Sequence, residues 1–247
     1  MLAEQRYEII LEMLEKNKSV TVTELTTLLS ASESTIRRDI TALHKASKLI
    51  KVFGGAIALE DIYIAAEPTV ALKAEQNQEE KRRIAKYASS LIEKNEFVYI
   101  DAGTTTAYML DYLDTDGVTF VTNGVSHAKY LAARGAKVFM VGGQLKSTTE
   151  AIVGSYAAKS LEEYHFSKGF FGTNGISRQE GFTTPDVDEA LIKRAAMKQC
   201  RKAYVLCDVT KFNQVSSVTF AALENATVLT DREIRGYEKL GNVVVVS

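Results

Sequence analysis

Ser34, Thr35, Arg37, Arg38 and Thr41 put hydroxyl and guanidinium donors into one short stretch. Such groups read base edges in the DNA major groove and grip the phosphates beside it. Lys48 and Lys51 follow, with ammonium groups suited to phosphate. A second set of candidates stands at the ends of apolar runs: Asp101-Ala-Gly-Thr-Thr-Thr106, Asn123 in Thr122-Asn-Gly124, and Asp208 and Lys211 in Asp208-Val-Thr-Lys-Phe212. In the first of these, Gly103 permits close backbone approach, and Thr104, Thr105 and Thr106 set hydroxyls beside the unpaired N–H groups of a helix start. That combination holds phosphate or another anion; it equally describes threonines that only cap a helix. Glu189 and Lys193, four apart, offer either ligand contacts or an exposed ion pair on a helix.

The first set needs a helix to present it. Thr21 and Glu24 have capping-box spacing, and Leu25, Leu28 and Leu29 follow at helical intervals. Ser30-Ala-Ser32 interrupts the pattern, and Ser32 or Ser34 can cap a second helix. There Ile36, Ile40 and Leu43 fall on one face and leave Thr35, Arg37, Arg38 and Thr41 on the other. The spacing predicts a helix-turn-helix whose second helix suits the major groove; the plainer alternative is a two-helix turn with a solvated basic face. Two apolar runs around Gly54-Gly55 predict a β-hairpin directly afterwards, a wing. Between residues 37 and 51, Arg37, Arg38, Lys45, Lys48 and Lys51 meet a single acid, Asp39, whereas the preceding helix carries Glu4, Glu8, Glu12 and Glu15. A chain of net charge −1 is no general polyanion binder, so contact with DNA must be local.

The second set needs a sheet. With 247 residues, a winged helix of about 60 leaves about 185 for another core. Residues 59–74, including Glu60-Asp-Ile-Tyr-Ile-Ala-Ala-Glu-Pro-Thr69, have no strong period and are read as a linker between a domain at 1–58 and one at 75–247. Gln78–Glu93 reads as an amphipathic helix with Ile84, Ala88 and Leu91 inward and Glu79, Glu80, Lys81 and Arg82 outward. Apolar runs then recur at Phe97–Ile100, Val118–Thr122, Lys137–Val141, Lys168–Gly172, Ala203–Cys207, Thr227–Leu229 and Val243–Val246, with helical segments between most of them. Unbroken apolar runs of this kind predict strands buried on both faces, hence an α/β fold with an open, mainly parallel sheet. In such folds ligands bind where strands end.

Several chemistries are excluded. There is no Walker lysine and no three-glycine dinucleotide fingerprint. His44, at the end of the second helix, and His127 and His165, read as helical, form no pair with metal-ligand spacing and have no serine or cysteine nucleophile pattern beside them. Cys200 and Cys207 read as small buried hydrophobes in a reducing cytoplasm. No catalytic residue, metal or cofactor is assigned. The N-terminus lacks a signal-peptide core and no run reaches transmembrane length, so a cytoplasmic protein with no membrane partner is expected.

Val22-Thr-Glu-Leu25, Ser34-Thr-Ile-Arg-Arg-Asp39 and Gly54-Gly-Ala56, with Arg6 and the Ile9/Leu14 helix before them, resemble the winged helix of the DeoR family of bacterial sugar-operon repressors. The likeness extends through Asp101-Ala-Gly-Thr-Thr-Thr106, Thr122-Asn-Gly124, Gly142-Gly143, Glu189-Ala190 with Lys193, and Asp208-Val-Thr-Lys-Phe212, so it covers nearly the whole chain. One departure is Val52-Phe53, where the family more often has a basic residue and a histidine. The resemblance implies a sensor domain related in fold to ribose-5-phosphate isomerase, glucosamine-6-phosphate deaminase and CoA transferases. It implies a sugar-phosphate pocket lined by Asp101, Gly103, Thr104, Thr105, Thr106, Asn123, Glu189, Asp208 and Lys211. It also implies a homodimer or tetramer that holds double-stranded operator DNA until a phosphorylated sugar releases it. The rival is a sugar-phosphate isomerase or deaminase fused to a DNA-binding arm. Its proton-transfer chemistry needs a positioned base, and Gly172-Thr-Asn-Gly-Ile-Ser177 has no carboxylate where the isomerases carry an acid-rich loop.

Overall fold

The computed structural model describes residues 1–46, 48–58, 62–64, 70–238 and 240–246. It divides into two compact units, Met1–Ile62 and Tyr63–Ser247. Of the linker read at 59–74, residues 59–61 and 65–69, Pro68 among them, lie outside the described residues.

In the first unit, helices α1 (Ala3–Asn17), α2 (Val22–Leu29) and α3 (Glu33–Lys45) stand with strands β1 (Ser19–Thr21), β2 (Ile50–Val52) and β3 (Gly55–Ile57). The capping box forms: Thr21 N donates to Glu24 Oε2 at 2.7 Å and Glu24 N donates to Thr21 Oγ1 at 3.1 Å. Ser32 caps α3 by accepting from Thr35 N, which leaves Ser34 inside the helix. Ile10, Leu14, Leu25, Ile36, Ile40 and Leu43 form the core. Leu28 does not join it; it is 54% exposed, and Val22 completes the buried stripe of α2 instead. β3 pairs antiparallel with both β1 and β2, so the hairpin is anchored to the helices. Gly54 turns it at φ +84°, and a side chain on Gly55 would strike the Val20 carbonyl.

The first helices of the second unit are α4 (Val70–Glu75), all of which but Glu75 lies within the span read as linker, and α5 (Gln78–Ser90). Among the described residues, seven strands then form one wholly parallel sheet: β4 (Phe97–Ile100), β5 (Thr119–Thr122), β6 (Lys137–Met140), β7 (Phe166–Gly172), β8 (Cys200–Leu206), β9 (Thr227–Thr230) and β10 (Val243–Val245). Helices α6 (Thr104–Met109), α7 (Val125–Ala133), α8 (Ser155–Ser160) and α9 (Val187–Lys198) lie between them in sequence. Period-2 alternation divides neighbouring residues between two cores. Tyr99, Val121, Phe171, Val205 and Val228 pack with Ala157, Leu161, Ala190 and Ala196 of the α8/α9 side. Val98, Ile100, Phe120, Phe170, Leu206 and Leu229 pack with Ile84, Ala88 and Met109 of the α5/α6 side. This double burial is why the five inner strands read as unbroken apolar runs; at the two edges the expectation fails, and Phe139 and Met140 of β6 and Val245 of β10 are exposed.

Antiparallel pairing occurs outside that sheet, in the hairpin Gln144–Lys146/Ala151–Val153 and in a three-stranded sheet of Gly175–Ser177, Gly181–Thr184 and Val218–Ala221. His165 precedes β7 in non-helical chain, contrary to its helical reading.

The spatial order is β10-β9-β8-β7-β4-β5-β6. The chain enters at β4, winds outward through β5 and β6, and returns to β7 to wind outward the other way. The order therefore reverses between β4 and β7, and a crevice opens beyond their C-terminal ends.

Candidate functional site

In the first unit, α3 buries Ile36, Ile40 and Leu43 and leaves Arg37 and Arg38 exposed. Local bonds hold the two arginines loosely. Arg37 Nη2 reaches Glu33 Oε2 at 3.3 Å across an exposed turn, and Arg38 Nε donates to the Ser34 carbonyl at 3.3 Å. Thr35 Oγ1 and Ser34 Oγ lie 2.9 and 3.0 Å from Ser32 Oγ. Thr41 Oγ1 accepts from Lys51 Nζ at 2.9 Å, which ties strand β2 of the wing to the solvent face of α3. Lys48 is exposed, and Phe53 stands fully exposed at the wing tip. Asp39 is buried and held by Arg6, so it does not offset the basic face as its place in the sequence suggests.

In the second unit, a cleft with about 700 Å³ of free space, part of it open to solvent, lies at the strand-order reversal. Of the residues singled out in the sequence, Gly103, Thr104, Thr105, Glu189, Lys193, Asp208 and Lys211 line it. Asp101, Thr106 and Asn123 lie behind its wall. Asn123 accepts from Ala102 N at 2.8 Å and from the Tyr99 hydroxyl at 3.0 Å, and donates to the Ile152 carbonyl at 3.2 Å. Thr106 Oγ1 donates back to the carbonyls of Asp101 (2.6 Å) and Gly103 (2.9 Å). α6 starts at Thr104, so the three threonines form its first turn and do not precede it as a loop. Gly103 is extended at φ −171°, a conformation any residue adopts; the constraint on it is space, because a Cβ would lie 3.2 Å from Thr106 Oγ1.

Glu189 and Lys193 are both buried, and neither the exposed pair nor any bond between them forms. Glu189 Oε1 accepts from Lys146 Nζ at 2.9 Å and Thr149 Oγ1 at 3.0 Å, and Oε2 from Thr184 Oγ1 at 3.3 Å. Lys193 pairs with Asp101 and donates to the Gly172 carbonyl at 3.1 Å, which joins the ends of β4 and β7. Burial raises the Asp101 carboxyl above its usual range, and the Lys193 ammonium opposes that rise. Asp208 accepts from Asn77 Nδ2 at 3.1 Å and Thr210 N at 3.0 Å.

Lys81 also lines the cleft, although its neighbours in sequence suggest an outward face. It is 3% exposed, and burial lowers its pKa against the pull of Asp208. Lys81, Ile84, Ala85 and Ala88 stand at i, i+3, i+4 and i+7, so strict periodicity places Lys81 on the buried stripe. Lys73 and Asn77, which no sequence pattern marks, complete a rim with Asn174 of the Gly172-Thr-Asn-Gly175 strand end. The cleft thus gathers ammonium, amide and hydroxyl groups around acids that already hold partners, a set of donors whose chemistry suits an anion bearing hydroxyls. Among the described residues no cluster of three or more His, Cys, Asp or Glu could hold a metal, and no helix is long and apolar enough to cross a membrane.

Comparison with known proteins places both units. Residues 6–61 match the DeoR-like helix-turn-helix domain and residues 76–232 the DeoR C terminal sensor domain. The chain is 43% identical over 231 residues to the uncharacterized HTH-type transcriptional regulator FruR of Bacillus subtilis, covering 93% of this chain and 91% of that one. It is 30% identical over 241 residues to the HTH-type transcriptional repressor GlcR of the same organism, covering 94% and 90%. With the lactose phosphotransferase system repressor of Streptococcus mutans it shares 29% identity over 232 residues, 93% and 92% of the two chains. Ribose 5-phosphate isomerase A of Methanocaldococcus jannaschii aligns over 56% of this chain and 55% of its own with 14% identity and a TM-score of 0.40, too distant to bear on function. One match spans the winged helix and the other six of the seven parallel strands with most of the cleft, and the chain therefore belongs to the DeoR family of helix-turn-helix transcriptional regulators.

Proposed function

We propose that this regulator represses a sugar-utilisation operon in the cytoplasm and leaves its operator when a phosphorylated sugar fills the strand-end cleft. α3 enters the major groove, with Arg37 and Arg38 at base edges or phosphates, Ser34, Thr35 and Thr41 beside them, and Lys48 and Lys51 on the flanking backbone. One winged helix reads too few base pairs to be specific in a genome, so a homo-oligomer presents two of them to operator half-sites. The observation that carries the sensing half is the convergence of Lys81, Lys193 and Lys211 with Thr104 and Thr105 in one cleft at the strand-order reversal. Relatives named as repressors, one of them for a lactose phosphotransferase system, support a carbohydrate ligand.

The test is a thermal-shift screen of pentose and hexose monophosphates, followed by gel shifts on DNA from upstream of the gene. A ligand that binds only the folded protein stabilises it by about 2.7 kcal/mol at 100 times its Kd. The expected result is one or a few sugar phosphates that both raise the melting temperature and release DNA. Failure of every panel member to do either overturns the reading.

A further inference from the structure

Strand β6 forms one edge of the parallel sheet. Its Phe139 ends a row of residues that crosses the sheet through Ala203, Gly169, Tyr99 and Val121. The other four positions are buried, on the face that α8 and α9 cover, but Phe139 is 47% exposed. The helical layer on that face stops short of the edge.

Met140 is 51% exposed, Leu145 54% and Tyr156 of α8 74%. Gly142 and Gly143 bring them together. A Cβ on Gly142 would lie 3.7 Å from the Tyr156 ring, and one on Gly143 2.8 Å from Ile152, the cross-strand partner of Leu145. From Val138 to Leu145 the chain has no charged residue, and from Phe139 to Leu145 only Val141 is buried. Edge strands left in water are normally blunted by charge, proline or a covering segment. The charge on β6 is Lys137, whose ammonium stands 5.9 Å from the centre of the Phe139 ring.

Size and chemistry decide what covers this surface. About half or more of four large side chains is bare, on the order of 400 Å² of apolar area at the 150–250 Å² that an aromatic side chain can bury. That is the apolar core of a standard interface, which with its polar rim takes about 800 Å² from each partner. Duplex DNA and anionic membranes are held by clustered cations, which this stretch lacks. An uncharged surface meets its own copy without like-charge repulsion, and a two-fold contact needs only one such patch.

We propose, building on the homo-oligomer of the reading above, that Phe139, Met140, Leu145 and Tyr156 seat a second copy of this chain, patch to patch across a two-fold axis. The exposed backbone of Gly142 and Gly143 lies between them and lets the copies approach closely. The hairpin that carries Leu145 also carries Lys146, which donates to Glu189 at 2.9 Å, so the contact and the cleft share one element.

Sedimentation of the full-length protein over a concentration series, with and without operator DNA, tests this on Leu145→Glu and Tyr156→Glu. Tyr87→Glu, on α5 over β8 and β9, is the control with a tyrosine 40% exposed. The expected result is self-association at least tenfold weaker in the first two variants and unchanged in the control, with melting curves confirming that all are folded. Hydrogen exchange of the wild type needs no variant: amides of residues 137–146 slow as rising concentration drives assembly. Wild-type association in both patch variants, with exchange at 137–146 independent of concentration, overturns the surface and leaves the sugar-sensing reading standing. A wild type that is monomeric at every concentration and on operator DNA overturns the surface and the homo-oligomer together. A monomeric wild type whose melting temperature falls on either patch substitution shows that its own chain covers the patch, which also overturns the proposal.

Discussion

Arg6 of α1 and Asp39 of α3 form a two-point ion pair, Nε to Oδ2 at 2.6 Å and Nη2 to Oδ1 at 3.0 Å. Asp39 is the neighbour of Arg38, so the contact fixes the rotation of α3 about its axis and with it the direction in which Arg37 and Arg38 point. Planar guanidinium and carboxylate groups make this fit directional in a way that apolar packing alone is not. Asp39→Asn keeps the shape and removes the charge. The expected outcome is a lower melting temperature and weaker operator binding, with Arg6→Met plus Asp39→Leu recovering stability better than either single change because no lone charge remains. Unchanged melting and unchanged gel-shift affinity in Asp39→Asn would show that apolar packing orients α3 unaided.

Arg37 and Arg38 give a prediction that separates reading from gripping. Both are exposed, and their bonds to Glu33 and to the Ser34 carbonyl are surface contacts that DNA can replace. Alanine at a base-reading position costs about 1–3 kcal/mol of binding and relaxes preference at one base pair. Alanine at a phosphate-gripping position weakens binding to all sequences and reduces the salt slope by about 1. Titrations at several salt concentrations on operator and scrambled DNA distinguish the two. A folded double variant that binds operator like the wild type would remove α3 from the interface.

Much of this architecture is legible in the sequence because burial leaves a periodic trace. The five inner strands of the parallel sheet are buried on both faces, and α3 shows its period in Ile36, Ile40 and Leu43. The antiparallel strands of the second unit are not legible: Gly175–Ser177 and Gly181–Thr184 are short and rich in glycine, threonine and serine, the composition of turns. For the cleft, sequence marks polar residues at strand ends but not their direction. Asn123 and Asp208 look equivalent there, yet Asn123 ties loops together behind the wall while Asp208 lines the cavity. Lys81 is hidden by the charged residues around it, and only its spacing to Ile84 and Ala88 points inward.

His127 makes the stability of the second unit depend on pH. Its ring lies under Gly124, where a side chain would approach Nδ1 to 2.8 Å, and its Nε2 is 3.2 Å from Thr106 Oγ1. Burial lowers its pKa from 6.5 to about 4. The folded state therefore resists a proton that the unfolded chain accepts. The contribution is fully present above about pH 6.5 and is lost progressively as pH falls towards 4, a change of about 3 kcal/mol over the window. Melting curves between pH 7.5 and 5 should show a smaller fall for His127→Gln than for wild type, although the variant starts lower. Equal falls would mean that the imidazole is protonated in the native protein.

Gly103 tests whether the cleft works by space as well as by charge. Its φ of −171° accepts any residue, so a substitution need not strain the backbone. A Cβ meets Thr106 Oγ1 at 3.2 Å, which Thr106 can relieve by moving a few tenths of an ångström, and its next neighbour is Gly172 Cα at 3.9 Å. Gly103→Ala adds only that contact, whereas the further methyl groups of Gly103→Val must enter the cleft between Thr104 and Gly172. The alanine variant should therefore bind a sugar phosphate a few-fold more weakly. The valine variant should lose at least tenfold in ligand-induced melting shift and in release of DNA, while its ligand-free affinity for operator stays within about twofold, because Gly103 belongs to the other compact unit. Isothermal titration with a sugar phosphate, beside gel shifts with and without it, reads both quantities. Release of the valine variant at wild-type ligand concentrations would place the ligand elsewhere than against the start of α6.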